Sequence, residues 1–458
     1  MLRERDYTRL LSSAIAYGLG REMVFVAVGW QVYDISRNPF HLGLVGLAEF
    51  LPLLLFALPA GAISDRFSRK LVYIASLVFD AAITALLLVV SLSGAGSLWP
   101  FLALSFASGT SAALGNPAIR SMWPTLVPLR LLTRALALLV VSLSGANSLW
   151  PFLALSFASG TSAALGNPAI RSMWPTLVPL ELLTRALALR STVVQASVVT
   201  GPAIGGLLFA VSPEAVYATG AALMLLAALL TVPIRPRAIE QGPVDLVGTR
   251  IGSLLAGLRF VRRTPVLLGA ISLDLVAVLF GGAVALLPLF ARDILEVGPV
   301  GLGVLRSAPA VGALLAGIML TRRPLQGVAG RKLLIVVALF GASMVVFGLS
   351  RSFALSFAAL AVGGFVDMIS MNIRSMITAL ATPDILRGRV NAVEMVFISA
   401  SNELGAFESG AAAALVGAVP AVVIGGSLTI LAALVWPRLF PEMARIDRLE
   451  SLHPAGGT

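Results

Sequence analysis

Charged side chains lie within several long apolar runs of this sequence, where they could bind a polar molecule or carry a proton. At the centre of a membrane-spanning helix such a side chain costs about 2.5–3.5 kcal/mol on insertion scales, so it faces the protein interior and is a candidate for function. The candidates for substrate binding or proton coupling are Arg21, Glu22, Asp80, Asp274, Asp367, Arg374 and Glu408.

Helical spacing places some of these charges on common faces. Asp367 and Arg374 are seven residues apart, two helical turns, and therefore share a face. Glu394 and Glu408 are fourteen residues apart and roughly share one. Such a carboxylate could exchange protons, as an antiporter requires, or could only balance a buried arginine. Both interpretations stay open. For Glu394, which lies near the predicted cytoplasmic end of its run, the structural interpretation is favoured.

The composition identifies the medium in which these runs fold. Hydrophobic residues make up 58% of the 458 residues and charged residues only 12%, whereas a soluble domain carries roughly 25% charged residues. So few polar side chains could not cover a surface that faces water, and the mean hydropathy of +0.95 agrees. The sequence therefore predicts an all-α, polytopic membrane protein.

Several kinds of chemistry lack the residues that they need. There is no cysteine, and the two histidines, His41 and His453, fall in a predicted loop and in the tail. No P-loop is found, because Gly330-Arg331-Lys332 lacks the glycine spacing and the hydroxyl. We expect no metal, no cofactor, no enzymatic activity and no nucleic-acid partner; the net charge of +11 lies mostly in loops between apolar runs.

Thirteen apolar runs are long enough to span a bilayer, for which about 20 residues suffice. The first follows the charged N-terminus directly, so we expect a retained helix rather than a signal peptide. If the chain crosses the membrane alternately, the basic loops all fall on one side. Arg and Lys favour the cytoplasm, so both termini are predicted to be cytoplasmic. The runs are 11–35, 42–63, 71–94, 98–117, 149–168, 186–211, 214–234, 265–290, 301–321, 331–350, 353–378, 389–415 and 418–438.

A tandem repeat of 51 residues lies in the first half. Residues 88–138 recur as 139–189 with two differences, Gly96 against Asn147 and Arg130 against Glu181. The start of the short apolar stretch 131–146 matches the segment that leads into the run 186–211, and its end copies the end of the run 71–94. Both of these parent runs are predicted to cross from the cytoplasm to the outside. The duplication therefore predicts one extra hairpin and fourteen helices.

A weaker repeat relates the two halves of the chain. Residues 170–173 and 373–376 both read Ile-Arg-Ser-Met, and Arg69-Lys70 matches Arg331-Lys332. Repeated halves are typical of transporters. The sequence thus predicts an N-terminal bundle at 1–234, a cytoplasmic linker with an amphipathic helix at 235–264, a C-terminal bundle at 265–440 and a cytoplasmic tail at 441–458.

Two motifs resemble the major facilitator superfamily. Residues 61–70, GAISDRFSRK, resemble its loop signature G-x-x-x-D-R-x-G-R-R, with Ser68 in place of the second glycine. The motif Gly201, Pro202, Gly205 and Gly206 resembles the G-P-x-x-G-G segment of export-type facilitators. The stretches 26–66, 257–268 and 386–394 are similar to the subfamily that contains the enterobactin exporter. The gating residues that the resemblance implies are Gly61, Asp65, Arg66, Arg69 and Lys70.

The resemblance implies two pseudo-symmetric six-helix bundles, here with the extra hairpin, that expose a midplane site to each side in turn. It implies a monomer in the bacterial inner membrane that exports a small amphipathic molecule, siderophore-like or drug-like, against inward proton flow. The partners expected are that small molecule, protons and the lipid bilayer. Two alternatives stay open: an importer of another solute, and a protein whose transport the duplication has disabled.

The duplication gives a topology that can be measured. A reporter enzyme fused after residue 146 should lie outside the cytoplasm, because the joined stretch 131–146 should run outwards like both of its parents. Paired alkaline phosphatase and green fluorescent protein fusions would measure this. A cytoplasmic signal would contradict the extra hairpin.

Overall fold

The computed structural model describes residues 5–48, 69–92, 180–234, 250–322 and 329–446, and all of these are helices or the turns between them. The loop signature up to Ser68, residues 93–179 with nearly all of the duplication, and most of the predicted linker and tail lie outside the described residues.

Thirteen α-helices are labelled here within the described part of the chain. They are α1 Arg5–Ser36, α2 Pro39–Ala48, α3 Arg69–Leu92, α4 Leu180–Val211, α5 Pro213–Thr231, α6 Arg250–Arg263, α7 Pro265–Gly281, α8 Gly298–Arg322, α9 Ala329–Leu349, α10 Phe353–Ala381, α11 Asp384–Val416, α12 Ala418–Leu439 and α13 Pro441–Ala444. Nine helices in this part are long and apolar enough to span a membrane: α1, α3, α4, α5, α7 with its continuation to Ile294, α8, α9, α10 and α12.

The remaining long helix, α11, has 33 residues and covers the predicted run 389–415. It is less apolar than the nine because it carries Glu394, Glu403 and Glu408 within its length. A helix of that length measures about 50 Å, more than a bilayer core requires. Charged residues within such a helix are tolerated where they face protein rather than lipid.

The chain divides into two compact units, and the same pattern of helix pairs occurs in each. One unit comprises Met1–Arg37 with Leu44–Asp245, and the other Asn38–Gly43 with Leu246–Thr458. In the first unit α1 packs on α4 and α5, and α3 packs on α5. In the second unit α7 packs on α11 and α12, and α9 packs on α12. The sequence offsets between the halves match these helices one to one, so the fold repeats as the sequence does.

The second unit has a continuous apolar core that includes residues from both of its ends. Val261 of α6 is 1% exposed and Met443 of α13 is 0% exposed, and both belong to the core that α7, α9 and α10 form. The indole N–H of Trp436 donates to the Gly269 carbonyl oxygen at 2.9 Å, which joins α12 to α7. The last turn of the predicted linker and the first residues of the predicted tail therefore pack within this unit.

The glycine motif lies where α4 packs tightly against α1. A Cβ atom added to Gly201 would lie 2.6 Å from the Cβ of Glu22, and one added to Gly205 would lie 2.8 Å from the Cα of Met23. Gly206 and Pro202 are buried as well. Small residues at a helix crossing let two backbones approach and gain dispersion contacts, which is how membrane helices associate.

Enlarging a glycine at this crossing should separate the two helices. We expect Gly205→Leu to lower the melting temperature in detergent and to abolish transport, because the added side chain meets the α1 backbone. Gly317→Leu on α8 is the matched control, since nothing lies within 4 Å of a Cβ added there. Equal melting temperatures for the two variants would contradict tight packing at α1 and α4.

Candidate functional site

A buried ion pair connects α7 and α10 in the second unit. Asp274 of α7 is 7% exposed and Arg374 of α10 is 5% exposed. The Nη1 group of Arg374 donates to Oδ2 of Asp274 in a close salt bridge. The sequence predicted both residues as candidates but gave no reason to pair them, because they are a hundred residues apart. Helix packing, not local spacing, brings them together.

Two more carboxylates interact with this pair. Asp367, on α10, interacts electrostatically with both Arg374 and Asp274, and its side chain is exposed. Glu394, on α11, is half-buried and interacts with the same two residues. One guanidinium thus interacts electrostatically with three carboxylates. We call these four residues the unit-2 charge cluster: Asp274, Asp367, Arg374 and Glu394. The structural role favoured for Glu394 from the sequence is not tested by this placement.

A small cavity adjoins the unit-2 charge cluster. Asp274 and Asp367 line it together with Ser370, and the remaining walls are apolar side chains of α7 and α9, among them Val337 and Phe340. It has room for about one water molecule. A water there could bridge the two carboxylates, since the site is polar on one side and offers several partners.

The first unit holds its own polar group between α1 and α3. Asp80 is 8% exposed, and the Tyr17 hydroxyl donates to its Oδ2 at 3.0 Å. Arg21, one turn beyond Tyr17, interacts electrostatically with that tyrosine and is exposed. Glu22 lies beside Gly201 at the α1–α4 crossing instead. The structure therefore places Arg21 and Asp80 near a common tyrosine, and it places Glu22 in a helix contact.

The other predicted residues lie apart from both groups. Glu408 is half-buried on α11 and interacts with the hydroxyl of Ser409. Fourteen residues of helix separate it from Glu394, about 21 Å along the axis. Of the loop signature, only Arg69 and Lys70 are described, and they begin α3; Gly61, Asp65 and Arg66 lie outside the described residues.

A polar network at the far end of α1 was not predicted from the sequence, because only charged residues inside apolar runs were considered as candidates. The Tyr217 hydroxyl donates to Oε1 of Gln31, whose amide donates to Ser91 Oγ at 3.1 Å. Ser91 donates in turn to Oε1 of Glu214 at 2.8 Å. The network connects α1, α3 and α5. Neutral polar residues at helical spacing in these runs were the signal that could have found it.

A break in the helix that follows Pro265 was also missed. α7 ends at Gly281, and a 3-10 turn at Ala283–Leu286, a short α turn at Leu287–Leu289 and a π turn at Phe290–Ile294 continue the span. The Ser409 hydroxyl donates to the Gly282 carbonyl oxygen at 3.2 Å, which pairs a backbone group that the break releases. The paired glycines 281 and 282 were the sequence signal for this break.

Groups of potential metal ligands were sought in the described part of the chain. Nowhere within the ranges described above do three or more His, Cys, Asp or Glu side chains form a group that could hold an ion. The three carboxylates of the unit-2 charge cluster interact with Arg374.

The pairing of Asp274 with Arg374 can be tested through stability. Removing one partner of a buried ion pair leaves an uncompensated charge, so Asp274→Asn or Arg374→Gln alone should destabilise the protein by about 3–5 kcal/mol. The double variant should recover much of that loss, because no buried charge of the pair remains. Thermal unfolding in detergent gives the double-mutant cycle. Additive losses would contradict the pairing.

The family comparison covers nearly the whole chain. The family model described as transmembrane secretion effector matches residues 2–148 and again 126–455. Enterobactin exporters of Shigella dysenteriae serotype 1 and Shigella boydii serotype 18 are each 30% identical to this chain over 250 residues, which is 53% of this chain. The match spans 58% of the exporters' own length, less than two thirds of these relatives.

Solved transporter structures share the fold at low sequence identity. A bacterial homologue of the human lysosomal transporter Spinster superimposes with a TM-score of 0.64 at 15% identity, over 96% of this chain and 98% of the homologue. The nucleoside transporter NupG superimposes with a TM-score of 0.59 at 14% identity, over 95% of this chain and 99% of NupG. These likenesses show the fold alone. The match to the family model over nearly the whole chain shows that this chain belongs to the transmembrane secretion effector family of major facilitator transporters.

Proposed function

We propose that this protein exports a small amphipathic molecule, siderophore-like or drug-like, in exchange for protons and by alternating access. Two findings support export: the secretion family that the chain belongs to, and the relatives whose names identify enterobactin exporters. Because the match covers 58% of those relatives, the substrate class is an inference from part of their length. The protein acts as a monomer in the bacterial inner membrane, with both termini in the cytoplasm.

The observation that carries the coupling is the unit-2 charge cluster. Arg374 brings one positive charge to three carboxylates, Asp274, Asp367 and Glu394. Uncompensated charge is costly inside a membrane-spanning unit, so protons or a cationic substrate must balance it. A cluster that holds its proton in one state and releases it in the other would tie proton flow to transport.

The cluster also joins helices that belong to different pairs. Asp274 is on α7, Arg374 and Asp367 are on α10, and Glu394 is on α11. A change of charge there alters the attraction between three helices at once. In the proposed cycle the loop 61–70 biases the gate, and the tight α1–α4 crossing moves as one body.

Export itself is the first property to test. Full-length protein in liposomes should export enterobactin or members of a dye panel when a proton gradient is imposed, and much less without one. A chain that lacks residues 139–189 is the comparison, because it shows whether the duplication disables the cycle. Uptake instead of export would support an importer, and no flux from either chain would contradict transport of these molecules.

Neutralising a carboxylate of the cluster should separate transport from the proton gradient. We expect Asp367→Asn to lose most of its gradient-driven export and its dependence on pH, while exchange of labelled substrate at equal pH persists. Exchange needs alternating access but no net proton movement. Asp6→Asn is the matched control, since that carboxylate pairs with Arg9 near the start of α1 at part-exposed positions. Full pH-dependent export by Asp367→Asn would remove this residue from the coupling.

A further inference from the structure

A line of polar side chains follows one face of α10, and the ion pair accounts for only part of it. Its members recur at intervals of three or four residues, which keeps them on one face of a helix. We call it the α10 polar stripe: Asp367, Ser370, Arg374, Thr378 and Thr382, the last of which caps the helix.

Three buried atoms of the α10 polar stripe make no hydrogen bond of ordinary distance and angle to the residues that the structure describes. They are Nε of Arg374, Oγ1 of Thr378 and Oγ1 of Thr382. The two threonines are 2% and 0% exposed. Buried polar groups are nearly always hydrogen-bonded to protein or to ordered water. Three such atoms in a row, four residues apart, therefore indicate a row of water molecules.

Other buried hydroxyls in these helices behave differently. Ser307 donates to the Gly303 carbonyl oxygen at 3.0 Å, and Thr429 donates to the Gly425 carbonyl oxygen at 3.0 Å. A hydroxyl in a membrane helix can thus donate its hydrogen bond to the backbone carbonyl oxygen one turn earlier in the same helix. Thr378 and Thr382 do not make that bond, so their hydroxyls remain available to another partner.

The spacing of the α10 polar stripe suits bridging waters. Four residues of α-helix rise about 6 Å. One water that makes two hydrogen bonds of about 2.9 Å at its tetrahedral angle joins groups about 4.5–5 Å apart, and two waters in series join groups farther apart. One or two waters in each interval, between Arg374 and Thr378 and between Thr378 and Thr382, would therefore complete the row.

One end and the middle of this row meet groups that can hold a proton or a water. At one end, the small cavity with room for about one water lies between Asp274, Asp367 and Ser370. Beside the middle, Glu394 of α11 approaches Thr378 without a hydrogen bond of ordinary geometry. The cavity walls from α9 are apolar, whereas α7, α10 and α11 bring the titratable groups Asp274, Asp367 and Glu394 next to the row.

We propose that the α10 polar stripe holds a chain of ordered waters that carries protons between the unit-2 charge cluster and the end of α10 at Thr382. Each oxygen accepts a proton on one side as it releases another on the other side, so only O–H bonds form and break. Glu394, which approaches Thr378, receives or supplies the proton at the cluster end. Arg374 orients the chain through its Nε–H and keeps its own proton. The use of the chain for transport rests on the proposed proton antiport, and by the proposed topology Thr382 lies at the cytoplasmic end.

Replacing a hydroxyl by a methyl group breaks such a chain at one point while it keeps the side-chain shape. We expect Thr378→Val and Thr382→Val, in full-length protein in liposomes, to slow proton movement during enterobactin export several-fold, as measured by an enclosed pH-sensitive dye. Exchange of labelled enterobactin at equal pH should stay near the wild-type rate. Thr378→Ser should restore proton movement, because it returns the hydroxyl.

The matched control is Thr321→Val on α8, whose exposed hydroxyl already donates to the Ile318 carbonyl oxygen at 2.7 Å. Proton movement at the wild-type rate in both stripe valine variants would overturn the proton route. An equal loss of proton movement and of exchange would also overturn it, since that pattern reports a structural role. If the wild type exports without moving protons, the proposed antiport fails instead.

Thermal stability tests the waters independently of any substrate. If the threonine hydroxyls bind ordered water, valine leaves those waters short of a partner, and the melting temperature in detergent should fall or stay unchanged. If the hydroxyls have no partner at all, valine removes an unpaired buried group and the melting temperature should rise. A rise in both Thr378→Val and Thr382→Val, with none in Thr321→Val, would overturn the water chain.

Discussion

A polar group inside a membrane-spanning unit needs a partner, because hydrocarbon offers none. The buried Asp274–Arg374 pair is the clearest consequence in this protein. It requires α7 and α10 to approach, and it keeps two further carboxylates within electrostatic reach of one guanidinium. The same constraint explains the tyrosine on Asp80 and the serine that pairs with the broken end of α7. A buried ion pair is weak evidence for stability, so we interpret this one as part of a mechanism.

Close packing provides the distances that these polar groups need. Apolar side chains give little drive for association in lipid, so helices gain from close backbone contact. Glycines serve this purpose at α1 and α4, and again at α8 and α10, where a Cβ on Gly364 would collide with the backbone of Pro309. The second crossing holds α10, the helix that carries Asp367, Arg374 and the two unpaired threonines. The close glycine packing and the buried ion pair thus both involve α10.

Local pattern was enough to predict most of the helices, and it failed where partners come from distant parts of the chain. The lengths of the apolar stretches predicted the ten long helices that the structure describes, from the run 11–35 to the run 418–438. The thickness of the bilayer sets that length. Asp367 and Arg374 were predicted to share a face of α10, and they interact. The partner of Arg374 on α7 was not predictable, since no local spacing relates residues 274 and 374. Tyr17 was missed because a neutral side chain carries no desolvation signal in the sequence.

The central claim is that the unit-2 charge cluster exchanges protons when substrate binds, and one measurement tests it most directly. Purified protein in weakly buffered detergent would be mixed with enterobactin while a pH indicator in solution reports protons. If the cluster exchanges protons, protons are released as the protein binds enterobactin, and the variant that combines Asp274→Asn with Asp367→Asn binds enterobactin without that release. The same proton release from wild type and from the double variant, at comparable binding, would contradict the account.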